Sequence, residues 1–214
     1  MEQLAYNFKK AYPKLAPVKF TGSCDVAEPE NIKKGEGFQR IEFTGFDGVA
    51  FPHKLANVAS RFARSAGHCG VLGNDCDGIV LFEKDGQKYM LFCELKSTFS
   101  TDEIAHAKDQ LVGSYVNMKG LLSTLQGYGP DDYKAVGLIV SFEPTQEQLT
   151  SISKLDDRKA AFAIALNSRK IYQMPDSKCN RFFSPLSVGD FDIYYVAVPN
   201  RQKTYSVDIN TIIK

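Results

Sequence analysis

The sequence predicts an α/β protein whose core runs helix, antiparallel strand pair, helix and central buried strand. Two apolar runs, residues 78–82 and 89–93, flank the dipeptide Asp85-Gly86, and Asp-Gly between apolar runs is a strong signal for a β-hairpin. Apolar residues with helical spacing precede and follow this hairpin. A further run, residues 135–141, is almost continuously apolar, as in a strand buried on both faces of a sheet. Strands that alternate with helices in this way indicate an α/β fold.

The two core helices are predicted from their apolar spacing and from a cap. Residues 54–66 place five apolar side chains on one helical stripe, namely Leu55, Val58, Ala59, Phe62 and Ala63. After the hairpin, Ser100 and Glu103 have the spacing of a capping box, and apolar positions recur at intervals of three and four over residues 104–125. We expect this second helix to end near residues 127–129, where two glycines occur.

The segments outside this core have weaker patterns. The segments before it read as a helix, a loop rich in Gly, Pro, Glu and Lys, and a strand: residues 1–12, 21–37 and 38–43. The segments after it read as either strand or helix, a strand, and an alternating stretch: residues 160–166, 193–198 and 205–209. Because no repeat or low-complexity linker divides the chain, we expect one domain. It comprises residues 1–214, with a core at 50–142, an N-terminal extension at 1–49 and a C-terminal extension with additional strands at 143–214.

Composition excludes several classes of protein. The 214 residues include 26 basic and 25 acidic side chains, a net charge of +1, which argues against a protein that coats nucleic acid through bulk charge. No apolar run approaches the roughly 20 residues of a membrane span, and the chain starts without the basic and apolar regions of a signal peptide. Five cysteines form no disulfide framework. We therefore expect a cytoplasmic protein with no membrane association.

A cysteine-based metal site is not favoured. His68, Cys69 and Cys76 lie close together in sequence, but the chain has no Cys-x-x-Cys pair, which is the usual nucleus of a zinc or iron–sulfur site. Cys93 faces away from Glu94 on its strand and is predicted to be a small core residue. The carboxylates are therefore better candidates for metal ligands than the cysteines.

The predicted hairpin brings two acidic residues and a lysine together. If Asp85-Gly86 is a two-residue loop, the register that follows sets Asp77 opposite Glu94. Directly opposed residues share a face, and residues two apart on one strand point the same way, so Lys96 joins Glu94. A register shifted by one residue would separate the two acids. The hairpin therefore predicts one patch that contains both carboxylates and the lysine.

This patch indicates phosphoryl chemistry assisted by a divalent cation. Two opposed carboxylates repel each other, and strand positions usually gain by apolar packing. A divalent cation removes this repulsion, and Mg²⁺ takes one or two carboxylates while water and substrate phosphate fill its other positions. A lysine beside the ion can orient or deprotonate a water, or offset charge on a phosphoryl group.

Asp77, followed by Glu94-Leu95-Lys96 on the next antiparallel strand and then by a helix, resembles the motif of the PD-(D/E)XK nuclease superfamily. The resemblance covers residues 50–142 and implies a restriction-endonuclease-like core. It departs from the superfamily motif at Cys76, where that motif has proline. It implies a Mg²⁺-dependent nuclease, with Mn²⁺ as a substitute, that hydrolyses phosphodiester bonds in nucleic acid, DNA being favoured.

The resemblance also implies a role for each residue. Asp77, Glu94 and the Leu95 carbonyl would hold the metal ion, and Lys96 would position or activate the attacking water. Superfamily members often carry a polar residue on the following helix that faces the active centre. Here Gln110 is the predicted residue, and Lys108 is the alternative.

Several alternatives stay open. Asp75 competes with Asp77, because the same register sets it on the same face, opposite Lys96. Some members of the superfamily use a further acid, for which Glu2 and Glu42 are the candidates, and we leave that role unassigned. The alternative function is a catalytically inactive module of the same fold that binds nucleic acid or protein. A nuclease that cuts two strands would need a homodimer or a protein partner.

Overall fold

The computed structural model of the chain describes residues 2–65, 70–129, 131–174, 191–199 and 202–213. The strands of this part are β1 (Val18–Phe20), β2 (Ser23–Ala27), β3 (Arg40–Thr44), β4 (Gly48–Phe51), β5 (Gly78–Lys84), β6 (Gln87–Lys96), β7 (Lys134–Phe142), β8 (Ile171–Met174), β9 (Phe191–Val198) and β10 (Thr204–Asp208). Its α-helices are α1 (Glu2–Ala11), α2 (Pro29–Lys34), α3 (His53–Ser65), α4 (Thr101–Leu122), α5 (Gln146–Ser153), α6 (Arg158–Arg169) and α7 (Ile209–Ile212). Short 3₁₀ turns occupy Pro13–Leu15 and Val71–Gly73.

The strands form two sheets. A seven-stranded sheet has the order β1-β4-β5-β6-β7-β9-β8, and a three-stranded sheet has the order β10-β3-β2. In the large sheet β7 is parallel to both β6 and β9, whereas the other neighbours are antiparallel. In the small sheet β10 is parallel to β3, and β2 is antiparallel to it. The protein is therefore of mixed α/β type, as the sequence predicts.

The large sheet lies between a helical layer and the small sheet. Strand β6 shows this arrangement, because alternate side chains enter two separate apolar clusters. Met90 and Phe92 pack with residues of the helices, whereas Leu91, Cys93 and Leu95 pack with residues of β2 and β3. Residues at even positions of β6 thus face the helices, and this face continues beyond Phe92 to Glu94 and Lys96.

The predicted hairpin is confirmed. The register of β5 and β6 runs from Gly78 opposite Cys93 to Lys84 opposite Gln87. Asp85 and Gly86 form the two-residue loop, with φ values of 52° and 76°, the left-handed conformation that such loops require. The register that the sequence argument assumed is therefore the one observed.

The predicted order of the central elements is also observed. Helix α3 precedes the hairpin, α4 follows it, and β7 completes the series. Strand β7 lies between β6 and β9, and Val136, Leu138 and Val140 are fully buried. A strand covered on both faces explains its almost continuous apolar sequence.

The loop predicted for residues 21–37 is wrong. This segment contains β2, whose Cys24 and Val26 are buried in the small sheet, and then α2. Helix α2 begins with Pro29 directly after Glu28 and ends at Gly35 in the left-handed conformation, both usual signals of helix ends. Short elements with a polar outer face have the same composition as a loop, so composition alone predicted a loop for this segment.

Smaller differences concern the helices. Helix α4 ends at Leu122, before the glycines predicted to terminate it. Val58 is 43 % exposed and does not belong to the buried stripe of α3, which includes Leu55 and Ala56, while the side chains of Phe62 and Ala63 lie outside the described part. The segment predicted as strand or helix is helix α6. Among the helices of the described residues, none combines the length and apolarity needed to cross a membrane.

A close helix contact fixes the segment that enters β5. At Gly113 of α4, an added Cβ would overlap the carbonyl oxygen of Val71 and lie 3.0 Å from that of Asn74. Only glycine permits this approach of helix and backbone. The contact holds the 3₁₀ turn against α4 just before Asp75 and Asp77.

Two glycines of α4 should respond oppositely to replacement by alanine. We expect Gly113→Ala to lower the free energy of unfolding by about 1–3 kcal/mol, because the new methyl group meets backbone atoms that cannot rotate away. Gly120 has open space around it, so Gly120→Ala should raise that free energy by up to about 1 kcal/mol through helix propensity. Denaturant unfolding measures both. A Gly113→Ala protein as stable as the wild type would contradict the close contact.

Candidate active site

A polar cavity of about 430 Å³ lies where β5 begins and β6 ends. Its floor includes Asp77, Glu94 and Lys96, and its walls come from residues 28–31, from α3 and from α4. The strands supply the floor because the side chains of β6 that face the helices are apolar up to Phe92 and charged beyond it. The residues predicted from the sequence pattern are thus brought together in one cavity.

Asp77 is anchored by the backbone of β6. Its N–H donates to the Cys93 carbonyl over 3.0 Å, and its Oδ2 accepts a hydrogen bond of 2.7 Å from the Leu95 N–H. The side chain is only 6 % exposed. Burial, followed by the nearby charge of Glu94 and a hydrogen bond with Glu28, raises the pKa of Asp77 well above its ordinary value. Charging Asp77 is therefore costly unless a cation compensates its charge.

Glu94 is the most deeply buried charged group of the cavity floor. The residue is 2 % exposed, and its Oε1 lies 2.8 Å from Lys96 Nζ. Its Oε2 is buried and has no hydrogen-bond partner among the described residues. Burial raises the pKa of Glu94 to about 7, although Lys96 opposes that rise. A buried oxygen without a partner is costly, and this one belongs to a carboxylate beside a second carboxylate.

Lys96 has two close oxygen partners. Its Nζ donates a hydrogen bond to Gln110 Oε1 over 2.7 Å and forms an ion pair with Glu94 Oε1 at 2.8 Å. Glu103 Oε2 lies 3.6 Å away, too far for a hydrogen bond. Since an ammonium group has three N–H donors, these contacts leave at least one N–H for a water or a substrate oxygen.

Gln110, rather than Lys108, is the residue of α4 that faces the cavity. Gln110 accepts from Lys96 and donates through Nε2 to the Asp75 carbonyl over 3.0 Å. Lys108 pairs with Asp109 at 3.2 Å and lies over the ring of Phe162. The amide of Gln110 therefore ties the lysine to the segment that precedes Asp77.

Asp75 and Asp77 are distinguished by their partners. Asp75 Oδ1 lies 3.3 Å from Arg64, which also donates to the Gly73 carbonyl over 2.8 Å. Asp75 lines the cavity, but its charge is already balanced by an arginine. Among the described residues, no lysine or arginine forms an ion pair with Asp77, which lies beside Glu94. The geometry therefore favours Asp77 as the acid that shares an ion with Glu94.

Among the cavity residues that the sequence did not predict are Glu28 and His53, the two that interact with Asp77. Glu28 caps α2, with its Oε1 accepting from the Glu30 N–H over 2.9 Å, and its carboxyl group contributes to the raised pKa of Asp77. His53 Nδ1 donates to the Asp77 carbonyl over 3.0 Å. Glu28-Pro29 does signal a helix start, but the placement of that helix over the hairpin is a tertiary feature that no local pattern reveals.

The other candidate acids and metal ligands lie elsewhere. Glu2 is exposed and pairs with Lys19, and Glu42 lies on the outer side of the small sheet. Cys76 and Cys93 are buried and free, so Cys93 is the core residue that its strand position predicts. His68 and Cys69 lie outside the described residues. Neither of the two acids considered for the further acidic role is therefore near the cavity, and Glu28 occupies the position next to Asp77.

The cavity floor fits a magnesium ion held by two carboxylates. Within the described ranges, no group of three or more His, Cys, Asp and Glu side chains is arranged to hold a metal. A site for Mg²⁺ does not require such a group, because one or two carboxylates suffice and water and phosphate complete the shell. The unpartnered Oε2 of Glu94 beside the Asp77 carboxyl group meets this requirement. Leu95, whose carbonyl is the third ligand implied by the resemblance, also lines the cavity.

Stability should depend on pH through the buried acids. A carboxyl group whose pKa is higher in the folded state makes the protein less stable as pH rises, because folding then requires the charged form to be buried. Without divalent cations, we expect the thermal midpoint to fall between pH 5 and pH 8, which brackets the pKa of about 7 for Glu94. Glu94→Gln should remove much of this fall. Glu83→Gln, on the exposed part of β5, is the control and should leave it unchanged.

Comparisons of the chain with protein-family models, curated proteins and solved structures give no match. The resemblance of Asp77 and Glu94-Leu95-Lys96 to the PD-(D/E)XK motif therefore stays a prediction from sequence.

Proposed function

We propose that this protein is a Mg²⁺-dependent nuclease that hydrolyses phosphodiester bonds in DNA. One observation carries the proposal: Glu94 keeps a buried carboxylate oxygen without a partner, beside Asp77 and within reach of a hydrogen-bonded lysine. An enzyme of this class needs an anionic pocket for a cation and a positive group for the phosphoryl oxygens. Both are present within one cavity.

Asp77 and Glu94 would hold the cation, with the Leu95 carbonyl as the further ligand that the resemblance implies. When bound, the ion supplies Lewis-acid polarisation of a phosphoryl oxygen. The chain supplies the alignment of the ligands. The Leu95 N–H fixes Asp77 Oδ2 and leaves the other carboxylate oxygen for other partners, and Lys96 fixes Glu94 Oε1 while leaving Oε2 free. Each acid thus has one oxygen fixed by the chain, and Glu94 keeps a second, buried oxygen without a partner among the described residues.

Lys96 is the group that acts on the attacking water or on the phosphoryl oxygens. Gln110 fixes the ammonium group by a hydrogen bond and Glu94 by an ion pair, and Glu103 Oε2 lies farther away, at 3.6 Å. A fixed N–H donor that faces the reacting phosphate stabilises charge that develops in the transition state. The water oxygen forms the new bond to phosphorus and loses a proton to solvent, while the bond to the leaving oxygen breaks and that oxygen takes up a proton.

The alternative is an inactive module of the same fold that binds nucleic acid or protein, and the charge of the cavity argues against binding of nucleic acid without metal. The described residues that line the cavity include six carboxyl side chains and, among lysine and arginine side chains, only Lys96. Such a surface repels a polyanion unless a cation intervenes. The acids are therefore easier to explain as a cation site than as part of a metal-free binding surface.

Replacing Asp77 and Asp75 one at a time should separate the roles of these two acids. We expect Asp77→Asn to abolish Mg²⁺-dependent cleavage, since it removes a charge next to Glu94, and to leave the metal-free thermal midpoint unchanged or higher. Asp75→Asn is the matched control, and it should keep most activity because its charge is balanced by Arg64. Cleavage of labelled oligonucleotides with Mg²⁺ or Mn²⁺ and thermal unfolding measure both. Full activity in Asp77→Asn would contradict the proposal, and loss confined to Asp75→Asn would move the ligand to Asp75.

Lys96 should contribute to turnover more than to cation binding. We expect Lys96→Ala to bind Mn²⁺ within about an order of magnitude of the wild type and to lose on the order of 10²-fold or more in cleavage rate. Lys108→Ala, on the outside of the same region, should keep its rate. Calorimetric titration and single-turnover cleavage measure the two effects. A variant that loses only substrate affinity would make Lys96 a phosphate anchor instead.

A further inference from the structure

We propose that the cavity accepts one single strand of DNA, either a strand end or a single-stranded segment, and excludes the intact duplex. The inference rests on the proposed function for its reaction. Its substrate class follows from how the cavity walls are fixed, from the size of the space between them and from their charge.

The first wall is tied to the end of β6. Residues 28–31 form this wall, and Asn31 Nδ2 donates to the Phe38 carbonyl over 2.9 Å and to Ser97 Oγ over 3.2 Å. The Phe38 N–H donates to the same hydroxyl over 2.9 Å. Ser97 directly follows Lys96 in the chain. The wall is therefore anchored at the strand that carries Glu94 and Lys96.

The second wall is tied to the segment that carries Asp77. His53, at the start of α3, donates to the Asp77 carbonyl, and Arg64, at the end of α3, donates to the Gly73 carbonyl. Helix α3 is thus fixed at both ends to residues just before β5. Because β5 and β6 are joined as a hairpin, the sheet sets the separation of the two walls.

The space between the walls suits one nucleotide unit. The cavity of about 430 Å³ lies in the lower part of the range of about 300–1,000 Å³ that holds one small ligand. Asp77 and Glu94 are 6 % and 2 % exposed, so a phosphate must enter the cavity to reach them. A strand end or a flexible single strand can place one nucleotide there, whereas a base-paired nucleotide brings its partner strand against the walls.

The charge of the walls also favours a single strand. Glu30 and Glu103 are exposed carboxylates on the lining of the cavity. Their lysine partners, Lys34 and Lys96, lie 3.6 Å away, and ion pairs of this kind that are exposed to water are weak, so both acids keep most of their repulsion toward a polyanion. Duplex DNA carries one negative charge per about 1.7 Å of its axis, compared with one per about 3.4 Å along one strand. The repulsion by this rim is therefore greater for a duplex than for a single strand.

Binding can be tested without catalysis. Fluorescence anisotropy with Ca²⁺ in place of Mg²⁺ compares a labelled oligodeoxynucleotide with the same strand in a blunt duplex. We expect the single strand to bind about tenfold or more tightly than the duplex at equal ionic strength. Equal or tighter binding of the duplex, or no binding of the single strand, would overturn the inference. If the single strand binds but is not hydrolysed with Mg²⁺ or Mn²⁺, the inference stands and the proposed nuclease activity fails.

Replacing one acid at the entrance of the cavity tests whether its negative charge causes the preference for a single strand. Glu30→Gln should narrow the difference between single strand and duplex by about twofold or more, because it removes one repulsive charge beside the entrance. Glu36→Gln is the matched control, since Glu36 is exposed on the same segment but does not line the cavity. A ratio that is unchanged in Glu30→Gln, or changed equally in the control, would overturn the role of the acidic rim.

Discussion

The burial of two adjacent carboxyl groups is the constraint on which this end of the molecule depends. Charged groups are rarely taken out of water without partners, because their solvation is lost. Here the protein surrounds Asp77 and Glu94 with a backbone N–H, an ammonium group and a further carboxyl group, and still leaves Glu94 Oε2 unpartnered. The arrangement survives because apolar clusters on both faces of the large sheet determine where its strands end.

The position of the cavity follows from the order of the strands. Strand β6 is antiparallel to β5 and parallel to β7, so its carboxyl end is the edge at which the chain leaves the sheet and crosses to α4. Crevices at the carboxyl ends of strands are the usual ligand sites of open α/β sheets. Within the described part of the chain, residues of α2, α3 and α4 reach this edge, and each contributes a polar side chain to it.

The floor of the cavity could be predicted from sequence because local rules determine it. Asp85-Gly86 selects a two-residue loop, the loop sets the register, and the alternation of a strand puts Glu94 and Lys96 on one face. Gln110 was also predictable, since its helix follows directly. Glu28 and His53 were not, because their positions depend on how distant elements pack on the hairpin. The same dependence on distant packing explains why β2 and α2 were not predicted. Each has too few apolar residues to be recognised in the sequence without knowledge of the small sheet.

The parallel pairing of β10 with β3 determines the order in which parts of this chain can fold. Strand β3 lies in the first quarter of the chain, yet its partner consists of Thr204–Asp208. Contacts between such distant segments form slowly, because a large loop must close before they add stability. During synthesis, one edge of β3 therefore remains unpaired until almost the whole chain has emerged. The segment that follows β2 and forms the first cavity wall belongs to this late-closing unit, so the acidic floor is formed by local structure before its entrance is complete.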